Sequence, residues 1–497
     1  MPSSALRSAS LLCASLLVAG CVRPSTAPTP EPSVAREMRG LWVATVRNID
    51  WPSKDTLTAE RQRAELIDIL DRAASSGFNT IVFQVRPAAD AVYQSSLEPW
   101  AALLTGHQGS DPGYDPLAFA VAEAHARGLE LHAWINPFRA GNAKDSAALA
   151  PAHLFNARRD LVRVYGAQLW LDPGDTAVQE HVMRVLTDIL RRYDIDGIHA
   201  DDYFYPYPEK DSSGRELDFP DSATYARGGS TLARDDWRRE NIDKFIERLY
   251  HEAHQLKPDI KVGMSPFGIW RPGNPPSVAG FDAYAKIYAD SRKWLRSGWV
   301  DYLTPQLYWA IGSPQQSFPA LLDWWIGENV LGRHIWPGLA TYRVNSGTPT
   351  AFGTNEIADQ VKLIRTRLRD PGDIMFNTTT TLKRNNGAVL ATIRPLYAER
   401  ALVPASPWLD SVPPPAPTIT VSGRTLQITP GAGETSRWWL VRVRSRGSWW
   451  RRGRWTSRVV FGNTTAITLD ADPERVLVSA VDQAGNVSAA AEFSRAP

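Results

Sequence analysis

Residues 73–87, Ala-Ala-Ser-Ser-Gly-Phe-Asn-Thr-Ile-Val-Phe-Gln-Val-Arg-Pro, read as the end of a helix, a stop and a strand. A helical stretch, Ala59–Ser75, runs into Gly77, the residue type that ends helices, and Thr80–Arg86 follows as a short apolar run with a polar tip. The same phrase repeats from Met38 to about Tyr397. Predicted strands are Leu41–Val46, Thr80–Arg86, Leu129–Asn136, Gly197–Asp201, Ile260–Ser265, Tyr302–Tyr308, Ile335–Ala340 and Ile374–Asn377. Between them the predicted helices are Ala59–Ser75, Leu117–Arg127, Thr176–Tyr193, Arg234–Leu256, Tyr284–Arg296, Pro319–Gly327 and Asn355–Leu368, with Gly128 and Gly298 as further stops. Eight strands, each followed by a helix or a long loop, is the count of an α/β (β/α)8 TIM barrel, assigned to residues 37–403. An open doubly wound sheet would carry a glycine-rich phosphate turn after its first strand, and none is there.

Outward from the barrel, both ends change character. Arg7, the apolar run Leu11–Ala19 and Val18-Ala-Gly-Cys21 form the pattern of a lipoprotein signal peptide, residues 1–21, with Cys21 as the acylated lipobox cysteine. The apolar run is too short to span a bilayer. Cys13 leaves with the signal, so no disulfide is expected in the mature chain. Residues 22–36, rich in Pro, Ser and Thr, read as a tether. With no Asp after Cys21, the expected location is the periplasmic face of the envelope, lipid-anchored at the outer membrane.

At the other end, proline-dense residues 404–417 read as a linker. Residues 418–497, short alternating runs between Gly, Asn and Asp turns, read as a small β-sandwich resembling fibronectin type III modules. From Ala416 onward there are eleven arginines, no lysine and six acidic residues, together with five tryptophans. That composition suits an anionic glycan or a membrane face, and equally a sandwich core with arginine-capped edges. Over the whole chain, 55 basic against 53 acidic residues exclude a protein built mainly to hold nucleic acid. A hydrophobic fraction of 43% with 22% charged excludes wholesale disorder. Nineteen tryptophans exceed ordinary core needs and suit stacking on sugars.

Barrels of this kind work at the C-terminal ends of their strands. There the sequence places Arg47, Asn48 and Asp50; Gln84, Arg86, Asp90 and Glu98; His132, Trp134, Asn136 and Arg139; Asp196-Gly-Ile-His-Ala-Asp-Asp-Tyr-Phe-Tyr205; Gln306, Tyr308 and Trp309; Tyr342 and Arg343; and Asn377. Carboxylates, amides, arginines and aromatics around one mouth fit a polyhydroxylated, partly anionic ligand. Strand alternation turns His199 and Asp201 the same way, with Asp202 opposite or opening the loop. Glycoside hydrolysis needs one protonated and one ionised carboxyl group. Asp201 and Asp202 are candidates, but as sequence neighbours they look awkward as a pair. The second acid is therefore expected from another loop: Glu98 first, beside Pro99-Trp100 in an apolar setting that raises a carboxyl pKa, then Asp90 and Asp50. Expected substrate contacts are Arg86, Asp90, Trp134, Asn136, Arg139, His199, Tyr203, Gln306, Tyr308 and Trp309. No cofactor is called for. A metal centre is disfavoured because no His-x-His follows the first strand and no tight ligand spacing occurs.

Several long stretches resemble one family. They are Met38-Arg-Gly-Leu-Trp-Val-Ala-Thr-Val46 with Asp50-Trp-Pro52, Asn79–Pro87 with Asp90–Ser95 and Glu98-Pro-Trp100, Thr105-Gly106, Asp111–Pro116, His132–Arg139, Leu171-Asp-Pro-Gly174 and Asp196–Pro206. Together they resemble the glycosyl hydrolase-like family 10 lipoproteins, along essentially the whole barrel. The resemblance implies a glycoside hydrolase acting on peptidoglycan glycan strands already free of stem peptides, in wall remodelling or division, with division-site proteins as partners. Peptidoglycan sugars carry 2-acetamido groups that can serve as internal nucleophile. Asp201 or Asp202 would then orient that group while its neighbour or Glu98 protonates the leaving oxygen. A covalent route with Asp201 as nucleophile stays open. Lactyl carboxylates would find Arg86, Arg139 or Arg343, and Trp134, Trp309, Tyr203 and Tyr308 would stack on sugar faces. Two rival readings are a glycan-binding scaffold without turnover, consistent with the missing carboxylate after strand five, and a metal-dependent polysaccharide deacetylase.

Overall fold

The computed structural model describes residues 34–383, 387–433, 436–447 and 453–495. The expected signal peptide, Cys21 and all but the end of the tether lie outside the described residues, as do Trp449 and Trp450. Among the described residues, nine parallel strands make one curled sheet. In spatial order they are His334–Ile335, Tyr302–Leu303, Lys261–Met264, Gly197–Ala200, Glu130–Ile135, Thr80–Arg86, Met38–Val43, Gly372–Phe376 and Gly338–Ala340. The two outermost strands are one run of chain, separated only by Trp336 and Pro337. On one side the Trp336 N–H donates to Leu303 O at 2.9 Å; on the other, Pro337 O accepts from the Ile374 N–H at 3.1 Å. The edges of the sheet therefore meet in this run. Pro337, which has no N–H to donate, sits where the run changes partner.

All eight expected strands are present, Thr80–Arg86 with the expected ends and the others with shifted ones. The sixth is regular only over Tyr302–Leu303 because Pro305 removes a donor, and pairing resumes at Gln306 as two isolated bridges, to Phe267 and to Gly338. The helix expected over Tyr284–Arg296 is two short helices, Ala283–Lys286 and Ser291–Ser297. Tyr288 takes a left-handed conformation between them (φ 55°), and the Asp290 side chain caps the second by accepting from the Lys293 N–H. After the third barrel strand the chain makes an unanticipated excursion, a small antiparallel sheet of Arg139–Asn142, Val162–Tyr165 and Gln168–Leu171, before helix Thr176–Arg192. The tryptophan excess is largely packing: Trp51, Trp170, Trp294, Trp325, Trp336 and Trp439 are fully buried.

The C-terminal region is a three-stranded antiparallel sheet (Thr418–Ser422, Thr425–Thr429, Ala466–Thr468) and a four-stranded one (Trp455–Phe461, Trp438–Ser445, Pro473–Val481, Ala491–Ser494). Leu426, Ile428, Trp439, Val441, Val476 and Val478 share the core of this region. It packs on the barrel end where strands begin. Arg437 donates to Asp196 at 2.5 and 2.8 Å and to Asp194 at 2.8 Å, and Lys261 donates to Gln483 O at 3.1 Å. The proline-dense stretch lies along the same end, with Trp408 Nε1 donating to Asp301 at 2.8 Å.

Candidate active site

At the opposite end, where the strands finish, lies an open pocket of about 230 Å³. It holds both Asp201 and Asp202, with Trp42, Trp134, Tyr308 and Phe376 among its walls. The fourth strand ends at Ala200, so the chain is already turning when it reaches the two aspartates. Strict alternation stops applying there, and both carboxyl groups reach one cavity.

Asp201 is set by a relay across the first four strands. The backbone N–H groups of Thr45 and Val46 donate to Gln84 Oε1 at 3.0 and 2.9 Å, and Gln84 Nε2 donates to Asn136 Oδ1 at 2.7 Å. That chain of bonds orients the Asn136 amide so that its NH2 donates to both Asp201 oxygens at 2.7 Å. Trp134 Nε1 adds a bond at 3.1 Å and the Tyr203 N–H another at 3.3 Å. Asp202 accepts from the Tyr207 hydroxyl and from Gln306, whose amide also donates to Ser265 O at 2.9 Å. Burial, with the Asp202 charge beside it, raises the Asp201 carboxyl to about 7, and burial raises Asp202 as well. Burial and the Asp202 charge likewise keep the Tyr207 hydroxyl protonated. The pair thus keeps a proton near neutral pH.

Of the expected substrate contacts, Trp134, Arg139, Tyr203, Gln306 and Tyr308 line the pocket. Asn136 acts one step back, through Asp201. The remaining expectations are corrected. Glu98 is in no position to be the acid: it is fully buried against Arg86 (2.5 and 2.8 Å) and His181 (2.9 Å). Burial alone would raise its carboxyl, but those two partners outweigh burial and hold it at about 2. Arg86 is correspondingly unavailable to substrate. It spends its guanidinium on Glu98 and on the carbonyls of Asn136 and Pro137, at 2.5 and 2.9 Å. Asp90, raised to about 6 by burial, accepts from the Ala88 N–H and Gln108, away from the pocket walls. Asp50, raised to about 6 by burial, ties the Ala44 N–H to the Thr379 N–H. Trp309 packs on Phe267 from behind, ring centroids 5.6 Å apart, and Arg343 lies over Tyr342 and Phe352.

His199 is a floor residue rather than a contact. It is fully buried, hydrogen-bonded with Tyr302 (3.0 Å) and Ser265 (2.9 Å), and burial beside His132 pushes its pKa well down. Tyr302 bonds in turn with His132 at 2.8 Å, and His132 with Glu130 at 3.1 Å. This buried polar column crosses the barrel interior. Gly263 makes room for it, since a Cβ there would sit 1.9 Å from the Tyr302 ring. Sequence reasoning missed Trp42, Tyr207, Phe267 and Phe376. Phe376, the last residue of its strand, and Phe267 and Tyr207, just beyond theirs, carried the same strand-end signal used for the polar candidates. Among the described residues, no group of three or more His, Cys, Asp or Glu side chains is placed to hold a metal ion.

The model of the family described as Glycosyl hydrolase-like 10 matches residues 37–352. The chain is 39% identical over 409 residues to Glycosyl hydrolase YngK of Bacillus subtilis (strain 168), covering 79% of this chain and 79% of that protein. It is 35% identical over 382 residues to Glycosyl hydrolase DigH of Escherichia coli (strain K12), covering 71% of this chain and 85% of that protein.

Proposed function

The chain belongs to the glycosyl hydrolase-like 10 family, and on that footing we propose that it is a glycoside hydrolase of peptidoglycan glycan strands freed of stem peptides. The observation that carries this reading is the Asp201–Asp202 pair, two buried neighbouring carboxyl groups in one aromatic-walled pocket, with Asp201 raised to about 7. Protonated Asp201 gives its proton to the glycosidic oxygen as the C1–O bond breaks. The 2-acetamido oxygen of the same sugar closes on C1, and ionised Asp202 stabilises the positive charge that develops on that group. Water then opens the ring intermediate, returning a proton to Asp201 and leaving a new reducing end. Trp42, Trp134 and Tyr308 supply faces for the sugar rings. In the cell, acylated Cys21 and the tether would hold the enzyme at the periplasmic side of the outer membrane, where division-site proteins are its expected partners. The C-terminal sheets would form a fibronectin type III-like module.

Incubating the chain with peptide-free glycan strands tests this, with mass spectrometry of the products. New reducing ends from the wild type, lost in Asp201→Asn, support the hydrolase. Tight binding without products returns the scaffold reading, and released acetate with chelator sensitivity returns the deacetylase. An aryl glycoside with an activated leaving group separates the two roles. Asp201→Asn should be largely spared on it because the leaving group no longer needs a proton, and Asp202→Asn should not.

A further inference from the structure

Among the described residues lining the pocket, Arg139 is the one basic side chain. Other arginines of the barrel are committed to carboxylates: Arg86 to Glu98 at 2.5 Å, Arg163 to Asp172 at 3.1 Å, Arg238 to Asp221 at 2.7 Å. Among the described residues no carboxylate oxygen lies within 4.0 Å of the Arg139 guanidinium. The group instead lies 3.9 Å above the Tyr203 ring. Stacking of that kind sets the plane of the guanidinium and leaves its N–H edge for a ligand. The backbone that carries it is anchored as well, because Arg139 opens the antiparallel excursion and pairs there with Trp170, which is fully buried and donates to Phe204 O at 2.9 Å.

We infer that Arg139 is a specificity residue that grips a carboxylate borne by the bound sugar, a refinement that rests on the glycan reading above. A half-buried guanidinium with no carboxylate in ion-pair contact, only the charges of Asp201 and Asp202 acting from further off, costs desolvation that hydroxyl groups repay poorly, whereas a carboxylate takes two parallel N–H bonds from its fork. The upward shift of Asp201 and Asp202 weakens their competition for Arg139. Two sugar chemistries present such a group: the lactyl ether of a muramic acid and the carboxylate of a uronic acid.

Calorimetric binding to the full chain decides, with Asp201→Asn introduced throughout so that no ligand is consumed. The ligands are a peptide-free tetrasaccharide of alternating N-acetylglucosamine and N-acetylmuramic acid, its lactyl methyl ester, tetragalacturonide and uncharged chitotetraose. Free acid should bind about tenfold or more tighter than ester. Arg139→Gln should erase that gap, with an unchanged thermal melt reporting intact folding, and Arg139→Lys should restore it in part. Arg139-dependent binding of tetragalacturonide alone would uphold the carboxylate grip and overturn the peptidoglycan substrate. Equal affinity for acid and ester, an equal loss for every ligand in Arg139→Gln, or no binding of any carboxylated ligand overturns the inference. Product formation by the unmutated chain, scored separately, tests the hydrolase reading alone.

Discussion

Asp196 and Asp201 flank a single strand, Gly197–Ala200, and both are buried. Before the strand, Asp196 accepts from Arg437 at 2.5 and 2.8 Å and from the Leu131 N–H at 2.8 Å, with His125 at 2.9 Å. Burial would raise its carboxyl, but Arg437 and His125 drive it well below the ordinary carboxylate range. Past the strand, Asp201 is hydrogen-bonded by neutral donors only; burial and the like charge of Asp202 outweigh the Arg139 cation, which makes no ion-pair contact, and the carboxyl rises to about 7. Burial is common to both residues, so the charge of the neighbours decides the sign. A cation turns a buried carboxyl into a fastener, here holding the C-terminal sheets on the barrel. Neutral donors and a like charge leave a carboxyl that holds its proton near neutral pH, the state acid catalysis requires. Glu98, with Arg86 and His181 against it, belongs with Asp196.

The contrast breaks most readily at Asp201. Asp201→Asn should lower kcat on peptide-free strands about 10²- to 10⁴-fold without lowering Tm. A fall in Tm with kcat intact would make Asp201 another fastener. Asp196→Asn and Glu98→Gln should do the reverse. Glu98→Gln leaves buried Arg86 without its ion-pair partner and should cost about 3–5 kcal/mol in denaturant unfolding; Asp196→Asn, with Arg437 still bonded to Asp194 at 2.8 Å, should cost less, and in both the fraction that stays folded keeps its kcat.

Acidity sharpens the same contrast with opposite signs. Asp196 and Glu98 have lowered carboxyl pKa values in the fold. The stability they contribute is full above the unfolded value of about 4 and fades as pH falls toward the Glu98 value of about 2. Asp201 is raised, so its contribution is full below about 4 and is lost as pH rises through about 7. Thermal melts from pH 2 to 8 should show Glu98→Gln flattening the acid limb and Asp201→Asn flattening the neutral one. Wild-type kcat should also fall on the alkaline side as Asp201 loses its proton near pH 7. The smallest effect belongs to the relay. Asn136→Ala should cost about tenfold in kcat with KM little changed, the pattern of a residue that positions a catalytic group.

The strands were readable because each is a local run, and Asp201 and Asp202 because they follow one such run and precede Tyr203-Phe-Tyr205. Alternation left Asp202 either opposite Asp201 or opening the loop, and because the regular strand stops at Ala200 it opens the loop. Glu98 misled for a different reason. Its chain neighbours Pro99 and Trp100 suggested a dry, raised carboxyl, while His181, 83 residues further on, supplies a bond that lowers it. Arg86 and His199, both at strand ends, carry the right chemistry for a mouth and turn out to be committed beneath it.

By itself, then, the order of residues determined the repeating strand-and-helix plan and the end of the sheet where the candidate acids gather, since periodicity, capping and strand ends are properties of adjacent residues. Only the tertiary structure decided which carboxyl keeps a proton, which arginine is left for a ligand and which histidine lies under the floor. Those outcomes depend on charges and donors that approach through space from distant parts of the chain, and at these distances one partner is enough to reverse the effect of burial.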